Sequence, residues 1–247
     1  EQKTRNYIAD ISLFYEKNFG KNSKIDVLVG HNYWEIYSND KNFASRGQTG
    51  VVIPETVPTF LTDKPQSAIE SYIGRINLNL FDKYLLTGSI RRDASSKFAR
   101  SNDNRVGYFP GGAIAWKLKE EFFRNSNLVS DLKIRFAYGS TGQQSGIANY
   151  SYLPVYSQSN VSAQYQFGNT FYSFLRPAAY DANIKWESTT TTNIGLDFGF
   201  AKNRITGSVD IYEKKTKDLL SVVPIAPGSN FNIELLTNVG NVTNKGA

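Results

Sequence analysis

The sequence predicts an all-β fold: an antiparallel up-and-down transmembrane β-barrel segment, with long extracellular loops at one end and short periplasmic turns at the other. Three observations carry this reading. Apolar and polar residues alternate with a period of two through segment after segment, which is the spacing of side chains on the two faces of a strand. Tyr, Phe and Trp gather near the strand ends, where membrane barrels carry their interfacial girdles. The connections alternate between tight turns and elaborated loops, a parity that an up-and-down barrel keeps and a Greek-key sandwich has no reason to keep.

Residues 7–19 set Tyr7, Ala9, Ile11, Leu13, Tyr15 and Phe19 against Asp10, Ser12 and Glu16. A polar turn at 20–24 leads to residues 25–37, where Ile25, Val27, Val29, Tyr33 and Tyr37 share a face. Residues 38–66 lose all periodicity and hold Pro54, Pro58 and Pro65, so they read as a long loop. A second hairpin sets Tyr72, Ile76, Leu78 and Leu80 against Arg75, Asn77 and Asn79. It turns at 81–83 and returns with Tyr84, Leu86, Gly88 and Ile90 opposed to Thr87, Ser89 and Arg91. Residues 93–105 read as a polar loop.

In the next strand Tyr108, Gly112, Ile114, Trp116 and Leu118 alternate with Gly107, Gly111, Ala113, Ala115 and Lys117. At about 3.3 Å per residue and a tilt of roughly 40°, Tyr108 and Trp116 stand about 20 Å apart along a barrel axis, close to the apolar band of an outer membrane. A polar helical link over 120–130 precedes a returning strand with Leu132, Ile134, Phe136 and Tyr138 against Lys133, Arg135, Ala137 and Gly139. Residues 139–184 are the longest irregular stretch. Residues 187–200 then place Thr190, Thr192, Ile194, Leu196, Phe198 and Phe200 opposite Glu187, Thr189, Thr191, Asn193 and Asp197. After a turn at 201–204, Ile205, Gly207, Val209 and Ile211 oppose Thr206, Ser208, Asp210 and Lys214, and a loop over 218–236 precedes the last segment.

The 247 residues contain no Pro/Ser-rich linker and read as one domain. No apolar run approaches the ~18 residues of a membrane helix, and mean hydropathy is negative, as alternating barrel strands require. The chain has 0 Cys, which excludes a disulfide framework and thiolate metal sites. Its net charge of +6 is scattered as single Lys and Arg residues, which points away from nucleic acid. His31 is the only histidine, so neither a Ser-His-Asp nor a Cys-His site can be assembled with redundancy. Glu120–Glu121, and Asp93 with Asp103, lack a spacing suited to glycoside hydrolysis. The stretch Ser101-Asn102-Asp103-Asn104 lacks the full ligand order of a calcium loop, and no phosphate-binding glycine loop occurs. The expectation is a non-enzyme without catalytic residues, metal or cofactor. Both chain ends read as falling within or next to strands.

Several stretches match a known family in order and spacing. Arg91-Arg92-Asp93-Ala94-Ser95-Ser96-Lys97-Phe98, Gly107-Tyr108-Phe109-Pro110 with Ala115-Trp116, and Leu132-Lys133-Ile134-Arg135 followed by Tyr138-Gly139-Ser140-Thr141-Gly142-Gln143 all fit it. So do Ile184-Lys185-Trp186-Glu187 leading to Asn193-Ile194-Gly195-Leu196-Asp197, and Val223-Pro224-Ile225-Ala226-Pro227-Gly228. The chain resembles a middle portion of the barrel of SusC/RagA-type TonB-dependent outer-membrane transporters, over most of residues 68–247. The resemblance implies a cell outer membrane location and about nine strands of a 22-stranded barrel. It also implies TonB acting through an N-terminal plug region that this sequence does not show, a SusD-like surface lipoprotein as lid, and import of glycans or, in RagA-like members, peptides.

Within that frame, Arg75, Arg91, Lys133, Arg135, Asp197, Asp210 and Lys214 are expected to face the lumen, lining a substrate path or pairing across strands. Tyr108 and Trp116 fall on the lipid face as girdle anchors, in contact with outer-membrane lipid. Tyr150, Tyr152, Tyr156, Tyr165 and Phe167 lie in the longest loop, which offers no strand-built core to fill, and are candidates for contact with a glycan, a peptide or the lid, the alternative being a loop packed on itself. Tyr33 and Trp34, near the top of the second strand, are further candidates for substrate or lid contact, divided between that reading and a structural one. The competing reading is a soluble carbohydrate-binding β-sandwich module, and a stand-alone eight-stranded barrel is a third. The face carrying Ile114, Trp116, Ile134, Ile194, Leu196, Ile205 and Val209 discriminates: a sandwich buries it, whereas a membrane barrel turns it outward.

Overall fold

The computed structural model describes residues 2–20, 22–58, 60–100, 103–159, 163–226 and 233–247. Ser101 and Asn102 of the acidic loop stretch, and Pro227 and Gly228 of the family motif, lie outside the described residues.

The long strands are β1 (Gln2–Phe19), β2 (Ser23–Lys41), then, after the two-residue β3 (Thr62–Asp63), β4 (Gln66–Leu80), β5 (Tyr84–Ser95), β6 (Val106–Lys117) and β7 (Val129–Gln143). A short helix α1 (Leu118–Phe122) links β6 to β7. The next loop carries β8 (Tyr156–Gln158), β9 (Tyr165–Phe167), β10 (Thr170–Tyr172) and β11 (Leu175–Pro177). β12 (Glu187–Phe200) and β13 (Ile205–Lys217) form a hairpin, β14 (Leu220–Pro224) and β15 (Glu234–Asn238) another, and β16 (Asn241–Gly246) ends the chain. One antiparallel 10-stranded sheet runs β1-β2-β4-β5-β6-β7-β12-β13-β16, with β3 on β2. Every neighbour on this path is the next long strand in sequence, so the topology is up and down, with β1 and β16 as open edges.

The register carries one face across the whole sheet. Leu13 pairs with Val29, Val27 with Ile76, Leu78 with Leu86, Leu86 with Ile114, Ile114 with Phe136, Phe136 with Ile194, and Ile194 with Ile211. Because side chains alternate, this lines up the apolar face in every strand and gathers Asp10, Asp26, Arg75, Arg91, Lys133, Arg135, Asp197 and Asp210 on the other. Among the described residues no second sheet covers the apolar face: Ile114, Ile134, Ile194, Ile205 and Val209 are 41–62% exposed. This overturns the sandwich, which needs that face as its core. The ten-stranded sheet with open edges equally replaces the stand-alone eight-stranded barrel.

Several boundaries differ from the sequence expectation. β5 continues to Ser95 through residues expected in a loop, because Asp93 and Ser95 occupy the polar face, where a polar strand and a polar loop look alike. β7 likewise extends to Gln143, and the link expected to be helical over 120–130 is helical only in α1, since β7 starts at Val129. The four-residue turn after β12 puts Ala201, Lys202 and Asn203 all at positive φ (51°, 60° and 60°).

The long-loop end divides between the two readings open for it. A core does exist there: Phe98, Ile147 and Ile184 are almost fully buried, with Tyr152, Trp186, Leu220 and Leu236 packed against them. Three connections contribute to it. Sequence pattern misses it because irregular segments bring their apolar residues together without a period.

Candidate functional site: the polar face and the long-loop end

The ion pairs of the polar face centre on Arg135. On β7 it stands opposite Gly195 of β12, which in turn stands opposite Asp210 of β13. Its Nε and Nη2 donate to the two carboxylate oxygens of Asp197 at 3.0 and 2.8 Å, and Nη2 also reaches Asp210 at 3.1 Å. Lys133 Nζ lies 2.8 Å from Asp197. Gly195 makes this possible: a Cβ there would fall 2.6 Å from Asp210 Oδ1 and 2.7 Å from Arg135 Nη2. A neutral network of two cations and two carboxylates therefore spans three strands, satisfied by its own members.

Nearer the long loops, Arg91 Nε donates to both oxygens of Asp93 (2.7 and 2.8 Å) and Nη2 to Ser71 Oγ at 3.1 Å. Arg75 stands opposite Leu28 and Ser89 and forms no ion pair among the described residues. Lys214 Nζ lies 5.5 Å from the Tyr212 ring centre. Of the charges expected on this face, two arginines are thus consumed in pairs and Arg75 is left open. Tyr33 and Trp34 separate: Tyr33 belongs to the apolar face, its hydroxyl donating to Glu35 at 2.8 Å, whereas Trp34 stands on the polar face between Ile8 and Ile69.

The loops over the polar face are tied to one another. Phe98 and Phe109 pack on Trp186 with ring centres 5.0 and 5.6 Å away, and Trp186 Nε1 donates to the Arg105 carbonyl at 3.3 Å. The β14–β15 hairpin is joined to the preceding loop where Asn238 accepts from Lys185 N (2.9 Å) and donates to Lys185 O (3.0 Å). Asp218 adds an ion pair to Lys185 at 2.9 Å. Tyr152 belongs to this packing, so its ring is structural. Tyr156, Tyr165 and Phe167 are exposed, and Tyr150, at φ 64°, is partly so. On the β9–β10 hairpin Tyr165 pairs with Tyr172 and Phe167 with Thr170, which puts Tyr165, Phe167 and Tyr172 on one face. Tyr165 and Phe167 stack with centres 6.2 Å apart. Sequence reading did not find Phe98, Phe109, Trp186 or Gly195; the glycine's only signal was its place in an otherwise polar strand face.

An up-and-down antiparallel wall, apolar on one face, charged on the other and capped at one end by long packed loops, is the architecture of an outer-membrane β-barrel. The description "TonB dependent receptor-like, beta-barrel" matches residues 2–247, and the chain belongs to that family. It is 42% identical to TonB-dependent receptor SusC of Bacteroides thetaiotaomicron, over 98% of this chain and 24% of the relative. It is 31% identical to TonB-dependent receptor P3 of Formosa agariphila, over 99% of this chain and 24% of that one. The chain therefore spans about a quarter of the length of these relatives. Among solved structures, the RagAB peptide importer in its closed-closed state matches with a TM-score of 0.77 at 23% identity, over 99% of this chain and 27% of that chain. The siderophore receptor PirA from Pseudomonas aeruginosa matches at 0.61 and 14% identity, over 99% and 38%. These two likenesses show the fold. The chain is part of the wall of an outer-membrane β-barrel.

Proposed function

We propose that the native protein carrying this chain is a SusC-like transporter that imports oligomeric nutrients, glycans or peptides, across the outer membrane with TonB as energy source. A SusD-like surface lipoprotein would close over the long-loop end. The observation that carries this reading is the 42% identity to SusC sustained over 98% of the chain. In this reading the chain is one contiguous stretch of a larger barrel, its open β1 and β16 edges paired with further strands and its polar face turned to the lumen. A plug and the TonB contact belong to regions outside these residues. The Arg135 network holds the wall, and the exposed aromatic face of Tyr165, Phe167 and Tyr172 is the surface offered to cargo or lid.

Deleting the gene should abolish growth on one class of oligosaccharide or oligopeptide, and a TonB-deficient strain should show the same loss. Replacing Tyr165 and Phe167 together by Ala should weaken capture of that oligomer or of the lid by about tenfold, as removal of two exposed aromatic anchors does. Unchanged growth of the deletion strain on every oligomer supplied would sink the import reading.

A further inference from the structure

The apolar face holds a concavity that transport does not use. Gly88 of β5 and Gly112 of β6 stand opposite each other on it. Where neighbouring positions carry Ile, Leu, Phe or Tyr, these two leave a groove of about 360 Å³, lined by Ile76, Leu78, Leu86, Ile114, Phe136 and Tyr138. Along β5 toward the extracellular end, the same face continues through Ile90 to Arg92, about 13 Å from Gly88 at strand spacing. The Arg92 guanidinium lies 5.8 Å from the Tyr72 ring centre, and Tyr108 stands opposite Arg92. Glu70, the acid on this face of β4, is engaged by the His31 ring at 3.2 Å and the Tyr72 hydroxyl at 2.9 Å. Among the described residues Arg92 forms no ion pair.

We propose that the groove and Arg92 together bind a phosphorylated, multiply acylated glycolipid of the outer leaflet, one acyl chain lying in the groove and a phosphate on Arg92. The face is turned to lipid, so the groove is filled by hydrocarbon, and a chain lying in it touches more side-chain surface than one on the flat part of the sheet. Tyr72 and Tyr108 mark the membrane–water interface, which sets Arg92 at head-group height. The Glu70 charge acts on Arg92 without a direct contact, while Glu70 itself is bound by His31 and Tyr72, so the guanidinium keeps donors for an anionic head group, whose phosphate its planar fork grips in bidentate fashion. The groove below Arg92 thus reproduces the layout of the lipid itself, charge above and chain below. The inference rests on membrane placement alone and is independent of what the protein imports.

The test uses the native protein purified from outer membranes and native mass spectrometry with diphosphorylated lipid A as probe, against the same lipid with its phosphates removed. Gly112→Leu fills the groove; a Cβ at Gly112 meets nothing closer than the Thr87 carbonyl at 3.6 Å, an ordinary contact, so the strand accommodates it. Gly112→Leu and Arg92→Gln should each weaken binding by about tenfold, the loss expected for one charge-assisted contact or a displaced chain. Phosphate removal should weaken binding to the unaltered protein and leave Arg92→Gln indifferent. Gly139→Leu, on the polar face with no atom within 4 Å of the added Cβ, serves as the control and should bind as the unaltered protein does. Equal binding by all variants overturns the proposal. So does binding insensitive to phosphate, or a Gly112→Leu variant that changes oligomeric state without changing lipid retention, which would give the groove to a protein neighbour.

Discussion

At the scale of single residues, Arg135 reaches aspartates on two strands because the residue between them, Gly195, has no side chain. Gly195→Val should therefore act as a charge mutation: the guanidinium must leave one or both carboxylates, and stability should fall by about 1–3 kcal/mol, read as a lower urea midpoint. Arg135→Met removes the same contacts from the other side and leaves Asp197 and Asp210 facing each other. Adding Asp210→Asn to it should recover part of the loss, a non-additivity that a double-mutant cycle measures. The sequence placed Arg135, Asp197 and Asp210 on one face through period two alone. That they bond to one another was not legible, because it depends on register between strands up to 75 residues apart in sequence.

Among the elements, tight turns and packed loops behave differently. The turn between β12 and β13 places three non-glycine residues in the left-handed region, where a Cβ costs roughly 1–2 kcal/mol each. Lys202→Gly should raise stability by up to about 1 kcal/mol, measured as a higher unfolding temperature of the folded band on a heat-modifiability gel. At the other end, Phe98 is buried beside Trp186, Ile147 and Ile184. Phe98→Ala should cost about 3–4 kcal/mol locally. Protease should then cut within residues 144–186 while the strands stay resistant. Cleavage no faster than in the unaltered protein would show that the loops are held by other means. This core was hidden from sequence reading for a physical reason: strand side chains repeat every second residue and declare their face, whereas Phe98 comes from one connection and Ile147 and Ile184 from opposite ends of another, 37 residues apart. The aromatic loop residues consequently divide, Tyr152 into this packing and Tyr165 and Phe167 into solvent, although nothing in their spacing separates them.

On the scale of the whole molecule, the account depends on one assignment, that the apolar face meets lipid along the full sheet. The aromatic contacts agree with it. Near the periplasmic turns Tyr84 stacks with Trp116 and Trp116 packs edge-on against Phe122, with ring centres 6.1 and 5.7 Å apart. Toward the other end Tyr72, Tyr108 and Tyr138 stand exposed on the same face. This two-belt pattern was legible from Tyr108 and Trp116, since eight residues of tilted strand set them about 20 Å apart, most of the apolar band of an outer-membrane barrel. These 247 residues hold no cysteine, so with any cysteine elsewhere in the native protein replaced, a single introduced cysteine is the one label site and the assignment is directly measurable. Spin labels placed in turn at Asn193, Ile194, Leu196 and Asp197 of β12, in the native protein in bilayers, report relaxation by oxygen, which partitions into lipid, and by a water-soluble nickel chelate. The account predicts high oxygen and low nickel accessibility at positions 194 and 196 and the reverse at 193 and 197; the opposite phase, or no alternation at all, would contradict it.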